Sequence, residues 1–411
     1  MKILQGVTGQ AGQPNALASG LRDLGLDSSS CSIADHKFNY KADINFQLSN
    51  VASFSDNMNT IIDNVGGFDV FHFHARSFFI NWPDLCFPSF HDIIILKLLG
   101  KRVFFHFRGQ EIRLAESFKK NNPFHYVDDP IAGRLFKKMP DASKLLMMSF
   151  LEAICDGLFV VDEELKTYVP AAIVVPRVLA GDEWKDAGLS DRKVPVIVHA
   201  PSRRAVKGTE YVLAASRALK AEGVAHELRL VENMEHPEAV RLYREADIIV
   251  DQLRIGWYGV LATEAMALGK PVVSYIRDDL WTEHSNKLPI CNASPITIKD
   301  RLKELICSLD LRRKYACNAR AYFERTHSNE AVCGKLTQLY ERSLAEPSVV
   351  SYANLLDSQF SPRLTDTMAN KARSLSSHNR ILRFLRVLKQ VASNDGHMAA
   401  LRFASHKIRR K

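Results

Sequence analysis

No stretch of this chain is apolar for long enough to cross a bilayer, which takes about 18–20 residues. The densest run, Ile93–Leu99, is interrupted by Lys97. Cysteine is sparse: seven in 411 residues, an odd number, with no C-x-x-C. Scattered reduced thiols fit that pattern; a disulfide framework or a zinc finger does not. Met1-Lys-Ile-Leu runs into an apolar strand without the core and small-residue cleavage signal of an export peptide, so the expected location is the cytoplasm. Charge is also scarce where it would matter. Of the net +9, the segment from Lys371 onward carries eleven Lys and Arg against Asp395 alone, which leaves the rest of the chain near neutrality. The basicity therefore belongs to an appendage, and no field of one sign surrounds the body.

What is present is an alternation of short apolar runs with amphipathic stretches, organised around residues 247–273. Ile248 to Val250 has the composition of a buried parallel strand. A loop with Gly256 and Gly259 follows, then a helix from about Val260 to Leu268, closed by Gly269-Lys270-Pro271. Val272, Val273 and Tyr275 open the next strand. A glycine-rich loop at a helix N-terminus aims free backbone N–H groups and the positive end of a dipole at one place, which suits a phosphate.

The first half repeats this design. Lys2–Val7 reads as a strand, and the loop with Gly9 and Gly12 leads to a helix over about Asn15–Leu24. Strands are expected near 68–74, 101–107, 157–161 and 173–175. His74, His106 and Arg108 are site candidates because they stand at carboxyl ends of such strands, where parallel sheets bind ligands. Ala180–Lys193 is polar and aperiodic, a linker. A second series of strands and helices starts at Val194, with a compact cationic turn at Arg203, Arg204 and Lys207. The expected fold class is α/β, with two Rossmann-like domains facing a cleft, plus a basic helical C-terminal tail. The boundaries are 1–180, 190–345 and a 346–411 linker and tail.

In the tail, Arg380–Val391 is amphipathic. Ile381, Phe384, Leu385, Val387, Leu388 and Val391 share one arc, and Arg383, Arg386 and Lys389 the other. Such a helix suits an anionic membrane surface, which makes residues 371–411 a peripheral-membrane element on the inner face of the cell membrane; docking on the body or on a partner helix is the alternative. No aromatic–basic interleaving points to nucleic acid.

Three stretches resemble retaining glycosyltransferases of the GT-B fold, glycosyltransferase family 4 in particular. Arg203–Gly208 (RRAVKG) is similar to the family's diphosphate-binding loop. Gly259–Val273 resembles the second half of its E-x7-E element, and Ser328–Leu344 its closing helix. FDVFHFH, HFRGQE and VVDEELKTYVP, followed by VVPRV, give a weaker likeness in the first half. The resemblance implies transfer of a sugar, with retention, from a nucleotide-diphospho-sugar to a glycan or lipid-linked acceptor, in the manner of cell-envelope polysaccharide synthesis.

It also implies roles. Lys207 with Arg203 or Arg204 would hold the diphosphate, Gly259 and Val260 would present amides to it, and Glu264 would bind the ribose. The family's sugar-contacting histidine aligns with Arg108, and His106 lies on the same face. Gly256 stands where the first glutamate of E-x7-E is expected, with Asp251 and Trp257 as the nearby substitutes. No cofactor and no metal are expected, since the chain has no D-x-D. Two alternatives compete: a non-catalytic nucleotide-sugar-binding subunit, and an NAD(P)-dependent oxidoreductase suggested by the Gly6–Gly12 loop. The second lacks the Tyr-x-x-x-Lys its chemistry requires.

Overall fold

The computed structural model describes residues 1–346 except 8–11, 34–41, 47–62, 64, 76–78, 80–89 and 180. Gly9, the linker beyond residue 346 and the basic amphipathic tail lie outside the described residues. Among those described, no helix is long and apolar enough to cross a membrane.

Two sheets account for the fold. The first has seven strands: β1 (Lys2–Gly6), β2 (Asp27–Ser32), β3 (Ile44–Asn45), β4 (Val70–His74), β5 (Arg102–Phe107), β6 (Gly157–Val160) and β7 (Ile173–Val174), in the order β3-β2-β1-β4-β5-β6-β7. The second has five: β8 (Val196–His199), β9 (Glu227–Leu230), β10 (Ile248–Val250), β11 (Val272–Ser274) and β12 (Ile290–Asn292), ordered β12-β11-β10-β8-β9. Every pairing is parallel. Helices cover both faces, and so β4, β5 and β8 are buried at every position. Strand order reverses between β1 and β4 in one sheet and between β8 and β10 in the other. Open parallel sheets bind ligands in the crevices at such switch points, outside the carboxyl ends of the strands.

The second strand was not legible in the sequence. Asp27–Ser32 reads DSSSCS, with no apolar period, yet Ser28, Ser30 and Cys31 are buried in a strand that pairs with β1 from Lys2↔Asp27 onward. The expected boundaries also need correction at the end of the second domain. The helix Asn329–Ala345 packs on the first sheet rather than the second, and its Val332, Cys333, Leu336 and Tyr340 share a core with Ile3, Leu17, Leu21, Val70 and Phe104. Gly20 permits the contact: a Cβ there would lie 2.7 Å from both Asn329 Oδ1 and Cys333 Sγ. The segment 181–193 also departs from a free linker. Trp184 is buried in the second domain's core, and Ala187 N–H donates to Leu268 O at 3.2 Å.

The domains meet through Arg254. Its guanidinium donates to Phe124 O (3.2 Å), His125 O (2.8 Å), Asp129 Oδ2 (3.1 Å) and Ala205 O (2.8 Å). Asn122 Nδ2 returns two bonds, to Arg254 O at 2.9 Å and Ile255 O at 3.2 Å. A first-domain loop is thus fastened onto the loop after β10. Arg254→Ala is expected to cost roughly 2–4 kcal/mol, the scale for charge-assisted hydrogen bonds lost with their acceptors left behind. Chemical denaturation measures it, and a loss below ~0.5 kcal/mol would show that the apolar contacts alone hold the domains.

Candidate functional site

The loop after β8 and the loop after β10 leave neighbouring strands on the two sides of a switch point, so they run side by side. Leu253 N–H donates to Lys207 O at 3.0 Å and joins the two loops. His199, at the end of β8, bridges them from below: Nδ1–H donates to Val250 O at 2.8 Å, and Nε2 accepts the Thr209 hydroxyl at 2.9 Å. Burial holds this imidazole neutral, with its pKa lowered to about 4. A histidine in a strand end here therefore organises the loops and carries no charge into the site.

Lys207 closes the short helix Arg204–Lys207, and Gly208 follows with φ 78°, the left-handed turn that redirects the chain into the helix Thr209–Ala221. The Lys207 ammonium donates to Asp251 Oδ1 at 3.0 Å and to Gln252 Oε1. Asp251 is fully buried and also accepts the Gly259 N–H with its other oxygen. One carboxylate therefore holds both the lysine and the start of the helix Val260–Ala267. Gly259 has to be small: a Cβ would lie 3.0 Å from Asp251 Oδ2 and 3.1 Å from Lys207 Nζ. The first intrahelical bond is Thr263 N–H to Gly259 O, and the N–H groups before it, from Val260 on, are the free donors of a helix N-terminus.

The two arginines of the turn part company. Arg204 forms a two-bond pair with Glu232, at 2.9 and 2.6 Å, and approaches Glu210 at 3.7 Å. In this unliganded chain its side chain meets the loop after β9. Arg203 is exposed, and among the described residues it makes no ion pair. Glu264 lies on the same helix as Val260, buried, with Oε1 2.9 Å from His236 Nε2. Burial raises the Glu264 pKa, which His236 opposes; the hydrogen bond to Glu264 raises that of His236.

Asp251 and Trp257 are not free to read a ligand. Asp251 is spent on Lys207 and Gly259. Trp257 is 3% exposed, stacks on Tyr258 at 5.4 Å and belongs to the core. Gly256 has φ 93°, and a Cβ on it would lie 2.9 Å from Arg277 Cγ. The volume a side chain at 256 would fill is occupied by Arg277, which is 1% exposed and paired with Asp279 at 2.9 and 2.8 Å.

In the first domain the structure separates His106 from Arg108. His106 is wholly buried in the central strand β5, stacked on His72 at 5.3 Å. His106, next to last in β5 and in register with His74, is enclosed by the core, whereas Arg108, past the end of β5, is half-buried. Arg108 Nη2 donates to His74 Nδ1 at 2.7 Å. That fixes the next partners: His74 Nε2–H donates to Gln5 Oε1 (3.1 Å), Gln5 Nε2 to the Tyr340 hydroxyl (3.1 Å), and that hydroxyl to His72 Nδ1 (2.6 Å). Burial, with the Arg108 charge second, lowers the pKa of all three histidines well below the usual range. They sit close enough together to suggest a cation site, but both His74 nitrogens are engaged, so three free ligands are not present.

Sequence reasoning gave no role to Arg177, Arg254, Arg277 or His236; Arg177 and Arg254 act on residues far away in the chain, His236 on Glu264 28 residues on, and Arg277 fills space beside Gly256 that only folding brings to it. Arg177, just after β7, had a usable signal in its position at a strand's carboxyl end. Its carbonyl accepts from His327 Nδ1 at 2.7 Å, and His327 Nε2 meets the Tyr258 hydroxyl at 3.0 Å. The first sheet's carboxyl edge is thus linked to the residue before Gly259. A cavity of about 410 Å³ lies elsewhere, lined by Lys97, Arg102, Asp156 and Glu346 at the opposite ends of β5 and β6, away from all of these groups.

No protein-family model matches the chain, and no curated protein matches it in sequence. Solved structures do match in fold. Sucrose-phosphate synthase from Thermosynechococcus elongatus is 13% identical with a TM-score of 0.55, over 84% of this chain and 98% of that one. HepE from Anabaena, in complex with UDP and glucose, is 11% identical with a TM-score of 0.53, over 83% and 100%. The same protein with UDP-glucose gives 10%, 0.51, and the same coverage of 83% and 100%. The chain has the GT-B fold, two Rossmann-like domains with a cleft between them.

Proposed function

We propose that the protein is a glycosyltransferase that takes a sugar from a nucleotide-diphospho-sugar. The observation that carries this reading is the joining of the Lys207 turn to the start of the helix Val260–Ala267 at the β8/β10 switch point. A lysine ammonium on one side and free helix amides on the other make a clamp of the right charge for a diphosphate. Exposed Arg203 adds a second cation beside it, and Glu264, freed from His236, supplies a carboxylate for ribose hydroxyls. The described complexes of HepE with UDP and UDP-glucose show what a chain of this fold can hold.

In the proposed reaction the bond from the anomeric carbon to the diphosphate oxygen breaks, the diphosphate keeps the electron pair, and the sugar becomes oxocarbenium-like. Lys207, Arg203 and the amides at 260–262 stabilise the departing charge. Closure of the domains excludes water, which otherwise competes with the acceptor. The resemblance stated above supports retention at the anomeric carbon and an acceptor that is a glycan or a lipid-linked sugar. The absence of D-x-D supports leaving-group stabilisation by protein cations instead of a divalent metal. The basic tail supports work at an anionic membrane face.

Calorimetric titration with UDP, GDP, ADP and NADH tests the reading. Binding of one nucleoside diphosphate is expected, weakened by at least ~10-fold in Glu264→Gln, the scale for losing a charged acceptor of ribose hydroxyls. If no diphosphate binds, the proposal fails. Transfer is expected to survive chelator; loss restored by Mg²⁺ or Mn²⁺ would overturn metal independence, and an inverted product by NMR would overturn retention. One observation favours a second reading, a binding subunit without transfer: Arg277 fills the space beside Gly256, so no carboxylate reads the donor sugar there. Detectable transfer or sugar-nucleotide hydrolysis dismisses it.

A further inference from the structure

The loop after β9 touches both halves of the clamp. Glu232 takes Arg204 of the Lys207 turn, and His236 takes Glu264 of the helix Val260–Ala267, with Nε2 2.9 Å from Oε1. Local structure sets His236 there. Asn233, at φ 56°, turns the chain after β9, and the helix His236–Glu245 begins on His236 itself with Pro237 behind it. Proline suits the first turn of a helix, because its fixed φ is helical and its missing N–H has no acceptor there. The imidazole is thus carried at the first position of a preorganised helix.

The two partners are unequally exposed. The Glu264 side chain is 8% exposed and the His236 side chain 49%, so the imidazole forms the outer half of the pair. A carboxylate that holds two ribose hydroxyls uses both oxygens, one per hydroxyl. His236 already holds one of them. Glu264 cannot move aside, since its helix is buried from Leu261 to Ala267. His236 can turn into water at little cost, being half solvated already. The charges that face the pair are few. Glu183 faces His236 from the segment 182–184, where the Trp184 ring also lies 6.0 Å from the imidazole. Glu235 and Glu238 neighbour it in the chain, and Glu238 approaches Arg241 at 3.9 Å. On the other side Asp251 raises the Glu264 pKa and Lys207 lowers it, and the buried Tyr243 phenol stands near, held neutral by burial first and by Glu264 after it. The hydrogen bond to Glu264 raises the His236 pKa above its ordinary value; burial opposes the rise, and the charges of Glu264 and Glu183 add to it.

We propose that His236 is a cap on Glu264, seated on the carboxylate in the free protein and displaced by the ribose of the arriving nucleotide. The cap deepens the transferase reading and rests on it for the role of Glu264. His236 touches no reacting atom; it acts through Glu264 as a positioning residue. Displacement has a signature in protons. While seated, the imidazole keeps its proton to a pH above the ordinary histidine value of about 6.5. Once displaced it has the ordinary affinity, and the surplus proton passes to the buffer. Between the ordinary and the raised value, nucleotide affinity therefore rises with pH, and above that window it is level.

The test is an NMR titration of the His236 imidazole in the full chain, free and saturated with whichever of UDP, GDP and ADP binds. In the free protein the imidazole is expected to titrate above the ordinary value, and Glu264→Gln is expected to bring it down. Saturating nucleotide is expected to bring it down in the same way with Glu264 intact. Calorimetry in two buffers of different ionisation enthalpy is expected to find a fraction of a proton released inside the window, and a smaller fraction in His236→Gln, which keeps a neutral donor. Titration of the nucleotide's own terminal phosphate is common to both proteins and cancels in that comparison. The half-exposed His236 tolerates substitution, and the wild-type titration stands as the test if Glu264→Gln melts early. An imidazole whose titration is unmoved by saturating nucleotide would show that His236 stays on Glu264, and would overturn the cap. An ordinary pKa in the free protein would do the same. Failure of every diphosphate to bind would instead overturn the transferase reading, and the cap with it.

Discussion

Lys207→Ala is expected to lower turnover by at least ~100-fold, the scale for removing one preorganised electrostatic donor from a leaving group. The lysine is the one cation of its turn that the structure holds between both loops, 3.0 Å from Asp251 Oδ1. Arg204 is drawn off by Glu232, and Arg203 is held by nothing among the described residues. Preorganisation is what distinguishes Lys207. Its partner Asp251 already fixes Gly259, so the ammonium and the helix amides keep one geometry before the ligand arrives. The same variant leaves Asp251 buried without its cation, which costs about 3–5 kcal/mol of stability. Turnover therefore has to be measured at a temperature where denaturation curves show the variant folded. Wild-type turnover under that condition would remove Lys207 from the mechanism.

The second large effect is expected at Gly256. Restoring the family-like carboxylate with Gly256→Glu should destabilise the protein by roughly 2–5 kcal/mol and recover no sugar contact. At φ 93° any Cβ is strained, and the new atom would lie 2.9 and 3.1 Å from Arg277 Cγ and Cδ. Those atoms cannot swing aside cheaply, because the guanidinium beyond them is held by Asp279 and the side chain is almost fully buried. Gly256→Ala separates the backbone contribution from that of the carboxylate. A Gly256→Glu protein that melts like the wild type and turns over faster would show that Arg277 yields and that the site is incomplete without an acid.

Much of the frame could be read from residue order. The runs RVFFHF and VIVH show no period of two, the mark of parallel strands under helices, while VFHFH alternates Phe with His and is still buried on both faces. The Gly-rich loop and the helix at 260 were legible from Gly256, Gly259 and the apolar stretch closed by Gly269-Lys270-Pro271, and the observed helix Val260–Ala267 ends within one residue of the expected position. Asp27–Ser32 escaped because its strand state is imposed by β1, and no local propensity announces it. The helix Asn329–Ala345 was seen as a helix but assigned to the wrong domain, since an amphipathic face does not say which sheet it will cover.

The same limit divides the site. Sequence alone determined the two series of strands and helices and the positions of Lys207, Gly259 and Glu264 at or after their Gly-bearing turns, because those signals are local: period, turn chemistry and spacing. Tertiary structure alone decided which of neighbouring residues faces the cleft. It turned Arg204 to Glu232, sank His106 into the core, set Arg108 against Arg177, and put Arg277 where a side chain at 256 would go. Each of these choices depends on a partner outside the residue's own loop or on burial by the surrounding core. Charge pairing and steric exclusion act at contact distance in space, and that distance carries no trace in the order of the chain.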